Sequence, residues 1–139
     1  MTMKPYLLGA LLVACAVPAA AQRVEVASGD WSRLPLMKTS VYVSIPGDAV
    51  DQIHRLVTSG QCALKGASKK RIDMTVPFLV RFAPNGSLEH VVLRDLGCPK
   101  AEGILARVVL NWAKTGTIKG AGTNDQGWYR SEISFSSTS

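Results

Sequence analysis

The chain has 139 residues and a formal net charge of +6 at pH 7, and 47% of its residues are hydrophobic. This length is within the range of a single domain with a modest core, and we expect one domain. The positive charge favours attraction to acidic surfaces such as a cell envelope, but it selects no partner.

Residues 1–21 show the order of features that is typical of a secretory signal. Lys4 supplies a positive charge, an apolar run follows over residues 6–17, and small residues lead to Ala21. The run is shorter than the roughly 20 apolar residues of a membrane-spanning helix. We therefore expect a signal peptide over residues 1–21, removed during export by cleavage after Ala21.

Residues 12–15 (LVAC) offer a second processing route, because they also match a bacterial lipobox. Lipoprotein processing would make Cys15 the lipidated first residue. The Ala-Ala-Ala-Gln boundary at residues 19–22 favours cleavage after Ala21, so the lipoprotein is the alternative.

An irregular lead-in is predicted over residues 22–45, where charged and apolar residues occur without a clear period. At its end, residues 40–45 (SVYVSI) alternate, with Val41 and Val43 on one face. This alternation indicates a short strand before the first helix.

The first helix is predicted to begin at Asp48, a good N-cap residue, and to end near Gly60. Val50, Ile53 and Val57 recur at helical spacing and form its apolar stripe. One face of this helix is therefore expected to pack on a sheet.

The clearest strand pattern lies at residues 76–82, where apolar side chains alternate. Pro84-Asn85-Gly86 follows and is typical of a turn, because proline presets its own φ and Asn-Gly tolerates positive φ. Residues 87–94 then return as a second strand, which predicts an antiparallel hairpin.

A second helix is predicted from Pro99 to Lys114, with Trp112 on its buried stripe. Residues 128–134 alternate once more, with Tyr129 and Ile133 on one face. This order of elements predicts an α+β fold in which two helices pack on one face of a small antiparallel sheet of about three to four strands.

Cys62 and Cys98 form an even pair once Cys15 is removed with the signal. In the oxidising compartment that export implies, such a pair is expected to form a disulfide. A metal site or a redox pair would need nearby histidines or a C-x-x-C spacing, which these cysteines lack. We expect no metal and no cofactor.

Over residues 46–136 the chain resembles the TonB C-terminal domain family, a group of periplasmic α+β modules. The likeness is carried by the helix that starts at Pro46 and by four short motifs: residues 76–88 (VPFLVRFAPNGSL), 96–99 (LGCP), 108–112 (VVLNW) and 127–135 (GWYRSEISF). A full TonB transducer has an N-terminal membrane anchor and a long Pro-rich spacer, and neither is seen here. The resemblance therefore implies a stand-alone periplasmic module that does not itself transmit force.

The resemblance also implies a mode of recognition, in which the last strand takes up an extended peptide of an outer-membrane receptor or another envelope protein. Such a peptide pairs with the free backbone groups of a sheet edge, and side chains at alternate positions select it. The residues implied in partner binding are Trp128, Arg130, Glu132 and Ser134. The expected function is protein binding, with a link to TonB-dependent transport, and not catalysis.

Two alternatives belong to other functional classes. A small secreted hydrolase could use His54 and His90, the only histidines, as acid and base. Their positions, on a helix stripe and within a strand, favour packed or surface-lying roles instead. A cystatin-like inhibitor or other ligand-binding module would share the arrangement of helices on a sheet.

The densest positive cluster is formed by Lys65, Lys69, Lys70 and Arg71 in a predicted loop. Nucleic-acid binders tend to interleave aromatic residues with such charges for base stacking, and none occur here. No nucleic-acid partner is expected, whereas peripheral association with an acidic membrane surface is compatible with the cluster.

Mass spectrometry of the protein purified after export tests the processing prediction. We expect an unmodified N-terminus at Gln22, because the small residues before it fit signal peptidase cleavage. A diacylated Cys15 as the first residue would contradict this prediction and support the lipoprotein alternative.

Overall fold

The computed structural model describes residues 23–37, 44–120 and 127–138. Within these ranges the chain forms β1 (Arg23–Ala27), α1 (Gly47–Thr58), β2 (Arg71–Phe82), β3 (Leu88–Arg94), α2 (Pro99–Lys114) and β4 (Trp128–Thr138). The four strands make one sheet in the order β1-β3-β2-β4. This architecture confirms the predicted α+β class with both helices on one face.

The sheet is mixed, because β2 pairs antiparallel with β3 and β4 whereas β1 pairs parallel with β3. The expectation of an irregular lead-in over residues 22–45 is wrong at β1, which lies inside it. The strand is only five residues long, and all but Ala27 are exposed, so it has no apolar pattern to reveal it. Val41 and Val43 of the predicted first strand lie outside the described residues.

The turn between β2 and β3 has the predicted chemistry. Gly86 has a φ of +85°, which a glycine adopts without strain. The amide of Gly86 donates to the carbonyl of Ala83 at 2.8 Å, and the amide of Ala83 donates to the carbonyl of Ser87 at the same distance. The Asn85 side chain also accepts from the amide of Ser87 at 3.0 Å, so the hairpin is closed by local bonds.

Both helices begin at a proline boundary. In α1 the N-cap is Pro46, and Asp48, expected at that position, lies instead in the first turn. Its carboxylate interacts favourably there with the positive end of the helix dipole. In α2 Pro99 occupies the first turn, as predicted, because its missing N–H has no partner to lose there. None of the helices in the described ranges is long and apolar enough to cross a bilayer.

The main core lies between the helices and one face of the sheet. Even-numbered residues of β2 point into it, and they meet the buried Trp112 of α2 and Ile133 and Phe135 of β4. The β2 residues in this core are Ile72, Met74, Val76, Phe78, Val80 and Phe82. Each large apolar side chain buried in this way stabilises the fold by roughly 1.5–3 kcal/mol relative to exposure.

A disulfide joins Cys62, just after α1, to Cys98, the N-cap of α2. The two Cα atoms are 5.8 Å apart and 36 residues apart in sequence. This confirms the predicted pairing and ties the end of one helix to the start of the other.

Removing the disulfide in the variant Cys62→Ala/Cys98→Ala should lower the free energy of unfolding by about 4 kcal/mol, because the unfolded chain regains the entropy that this loop closure removes. Urea denaturation monitored by circular dichroism measures the change. Reduced wild-type protein is the matched control and should unfold near the same midpoint as the variant. Equal midpoints for oxidised wild type and variant would contradict a stabilising role.

Candidate docking edge

The side chains of β4 alternate between the two faces of the sheet, as its sequence predicts. Ile133 and Phe135 are buried against the helices. Trp128, Arg130, Glu132 and Ser134, the residues implied in partner binding, share the opposite face, called here the outer face. The structure therefore brings these residues together in one row.

The backbone of β4 lies at one edge of the sheet. The hydrogen bonds of Arg130 show which of its backbone groups point away from β2. The amide of Arg130 donates to the carbonyl of Pro35 at 2.9 Å, and its carbonyl accepts from the amide of Met37 at 2.9 Å. Both groups therefore point away from β2. Because the direction alternates along a strand, the backbone groups of Glu132, Ser134 and Ser136 also point outward.

The edge is not open at Arg130, contrary to the expectation of a strand without a second neighbour. Leu36 pairs with Arg130 in parallel, and the Arg130 Nε donates to the carbonyl of Leu34 at 2.8 Å. Arg130 is thus held by residues 34–37 of its own chain. Sequence reasoning missed this contact because these residues carry no periodic pattern.

Beyond Arg130, no residue of the described ranges pairs with the outer backbone groups of Glu132, Ser134 or Ser136. A groove of about 510 Å³ lies beside this part of β4. Its walls come from the start of α1 and the end of β4, and they include Ile45, Val50 and Phe135. The candidate docking edge therefore runs from Glu132 to Ser136.

The chain crosses the outer face of the sheet between its two edges. Residues 28–37, named here the crossing segment, leave β1 at one edge and reach β4 at the other. Arg94 of β3 anchors it: the guanidinium carbon lies 4.1 Å from the ring centroid of Trp31, and an Arg94 N–H donates to the carbonyl of Gly29 at 2.7 Å. This stacked arginine fixes the segment on the sheet.

The outer face carries a small apolar cluster of its own. Leu79 and Val92 lie opposite each other on β2 and β3, and they are 8% and 6% exposed although their faces point away from the helices. The crossing segment lies on this face. Because the segment covers apolar surface there, β2 is apolar on both faces near Leu79.

Local hydrogen bonds shape the start of the crossing segment. The Asp30 carboxylate accepts from the amide of Ser32 at 3.0 Å. Hydrogen bonds from the Ser32 side chain and backbone lower the pKa of Asp30 below its ordinary value, and the positive charge of Arg94 adds to this. The ionised form of the Asp30 carboxylate is therefore stabilised within this local turn.

Trp128 packs on the outer face beside His90, with ring centroids 5.1 Å apart, and the guanidinium of Arg81 lies 5.9 Å from the indole centroid. The Nε2 of His90 is buried and lies 3.2 Å from a Glu25 carboxylate oxygen, but without the alignment of a hydrogen bond. Trp128 is thus a packed side chain as well as an edge residue.

The two histidines lie on opposite sides of the sheet. His54 of α1 is 8% exposed on the helix side, and its Nε2 is 2.9 Å from the carbonyl oxygen of Ser68. His90 faces the outer side with Arg81, its partner across β2 and β3. Their positions on different faces do not favour the two imidazoles acting together as acid and base on one substrate. The described residues include no group of three or more His, Cys, Asp or Glu side chains that could hold a metal ion.

The lysines of the basic cluster lie between α1 and β2, and Arg71 is the first residue of β2. Lys65, Lys69, Lys70 and Arg71 are all exposed. Arg71 forms an ion pair with Asp73 at 3.0 Å. An exposed pair of this kind contributes little to stability. The cluster is a solvated surface, as its sequence suggests.

Arg94→Ala should loosen the crossing segment, because it removes both the stacking on Trp31 and the bond to Gly29. We expect a loss of about 1–2 kcal/mol in unfolding free energy and faster proteolysis within residues 28–37. Urea denaturation and limited proteolysis measure these effects. Arg107→Ala, which removes an exposed arginine of α2, is the matched control. Equal cleavage rates in the two variants would show that Arg94 does not hold the segment.

Comparison with known proteins adds no relative: no protein-family model, curated protein or solved structure matches the chain. The resemblance to the TonB C-terminal domain family rests on the short motifs alone and stays a prediction. The geometry of the sheet edges is therefore what supports a functional proposal.

Proposed function

We propose that this protein is an exported, periplasmic binding module that takes up an extended peptide of an envelope protein by strand addition on β4. One observation carries the proposal. The outward backbone groups of Glu132, Ser134 and Ser136 succeed one another along a sheet edge, and no described residue pairs with them. Outward-pointing groups in such a row are a template for another extended chain.

The contact at Arg130 supports the same chemistry. There the β4 edge already holds a short extended stretch, Pro35 to Met37, through two backbone hydrogen bonds of 2.9 Å. Leu36, at the centre of that stretch, is 58% exposed, so little apolar burial accompanies the pairing. A partner peptide that makes similar bonds further along the strand needs no rearrangement of β2 and β4.

The side chains around the edge favour a particular peptide. On the outer face a peptide side chain would meet Glu132, which favours lysine or arginine. On the other face it would meet the groove beside Ile45 and Phe135, which Asp51 also lines. We infer a peptide in which basic residues alternate with apolar ones.

The place of this module in the cell is an inference from the sequence. The signal over residues 1–21 supports export, and the motif resemblance over residues 46–136 supports an outer-membrane receptor as the partner. A role in TonB-dependent transport is the corresponding proposal. The basic surface is compatible with residence at an acidic envelope.

The variant Ser134→Pro tests strand addition, because it removes an outward N–H and leaves the inward bonds of Ile133 and Phe135 to β2 in place. Ser134→Pro should no longer capture the envelope proteins that the wild type captures. Its affinity for the peptide should fall at least tenfold, which is roughly the effect of losing one backbone hydrogen bond and adding a clash at the edge. Quantitative mass spectrometry of the captured proteins, followed by titration of the recovered peptide, measures the effect.

Ser134→Ala is the matched control, since it also loses the 3.1 Å contact between the Ser134 and Thr75 hydroxyls but keeps the amide. It should capture the wild-type set. Circular dichroism and thermal unfolding establish that both variants are folded. If Ser134→Pro captures the same proteins as Ser134→Ala with equal affinity, pairing at this edge is disproved.

A further inference from the structure

The opposite edge of the sheet is formed by β1, and all of its residues but Ala27 are exposed. Val24 and Val26 are 43% and 45% exposed, and they are among the few large apolar side chains in the described ranges that remain so open. Both lie on the helix-bearing face, because they pair with Val91 and Leu93 of β3. Exposed apolar residues on an unpaired strand edge indicate an interaction surface.

Ala27 shows which way the backbone groups of β1 point, because its carbonyl accepts from the amide of Asp95 at 3.0 Å. Ala27 therefore faces β3, and so do the backbone groups of Glu25 and Arg23. By alternation the amides and carbonyls of Val24 and Val26 point outward. Among residues 23–37, 44–120 and 127–138, none pairs with them.

We propose that the partner at this edge is a second copy of the chain, with the two β1 strands paired antiparallel around a two-fold axis at Val24. The two sheets then form one continuous sheet. A two-fold axis makes each contact occur twice, so the strand must complement itself. This interface does not depend on peptide docking at β4, because it uses the other edge of the sheet.

Charge selects the register among those that the backbone allows. Outward groups pair only with outward groups, so Val24 can lie opposite Val24 or Val26 of the second copy, or Val26 can lie opposite Val26. Pairing Val24 with Val26 sets the two Glu25 carboxylates against each other, which is unfavourable. Pairing Val26 with Val26 sets Glu25 against Ala27, with no charge partner. Pairing Val24 with Val24 sets Arg23 of each copy against Glu25 of the other.

The Val24-centred register also fits the two faces of the strand. The Val24 side chains of the two copies meet on the helix-bearing face and bury each other's exposed surface. Glu25 lies on the outer face, where His90 of its own chain is 3.2 Å away and the carboxylate side chain is 56% exposed. It is therefore placed toward an incoming arginine. A five-residue strand buries far less than the about 1,200 Å² of stable interfaces, so the dimer is a weak one.

Two single charge reversals and their mixture test the register. In Arg23→Glu and in Glu25→Arg, each homodimer sets like charges against each other at both pairs. In an equimolar mixture of the two variants, both pairs become opposite in charge. Sedimentation velocity over a protein concentration series should show dimerisation by the wild type, at least tenfold weaker dimerisation by each variant alone, and recovery in the mixture.

Arg107→Glu on α2 changes the net charge as Arg23→Glu does and should dimerise like the wild type. Circular dichroism establishes that every variant is folded. A wild type that stays monomeric up to millimolar concentration would overturn the proposal and leave the β1 edge to another partner. Unchanged dimerisation of the single variants, or a mixture that does not recover, would overturn the Val24-centred pairing. None of these outcomes bears on the capture of envelope proteins at the β4 edge, which the Ser134 variants test.

Discussion

The pairing of β2 with β4 is the constraint on which the rest of this structure depends. It runs without interruption from Arg71 opposite Thr138 to Arg81 opposite Trp128. Because side chains alternate with a period of two, this register sends Ile133 and Phe135 into the core and leaves Glu132 and Ser134 on the outer face. A slip of one residue would exchange the two sets and expose the apolar side chains. It would also change which residues of β4 point their backbone groups outward.

The two edges of the sheet differ in how far the rest of the chain covers them. At β4 the crossing segment covers the edge near Arg130, and the edge from Glu132 onward keeps its outward groups unpaired within the described structure. At β1 a short strand with Arg23 and Glu25 on the outer face and two valines on the other remains exposed. Charged residues on such an edge oppose unspecific pairing, and they also allow pairing with a complementary strand. The two edges therefore differ in the backbone groups and side chains that they present to another extended chain.

The crossing segment links these features. It runs over the outer face, where Leu79 and Val92 are buried, it is anchored by Arg94 and Trp31, and it brings Leu36 to β4. Trp128 and His90 occupy the neighbouring part of the same face. The outer face of the sheet is thus partly a second, smaller core, which a simple arrangement of two helices on one open sheet would not have. Loosening the segment would change both this small core and the strand edge that it reaches.

The sequence by itself determined the elements whose signal is local: the hairpin with its Asn85-Gly86 turn, the helix that begins at Pro99 and the alternation of β4. In these cases neighbouring residues carry the pattern, through turn chemistry, capping or a regular period. The pairing of Cys62 with Cys98 followed instead from the even number of cysteines that remain after the signal. Only the tertiary structure decided the place of β1, the covering of Arg130 and the separation of His54 from His90. These depend on contacts between residues far apart in the chain, and a short exposed strand or an irregular segment leaves no periodic mark, because nothing in its own sequence has to be buried.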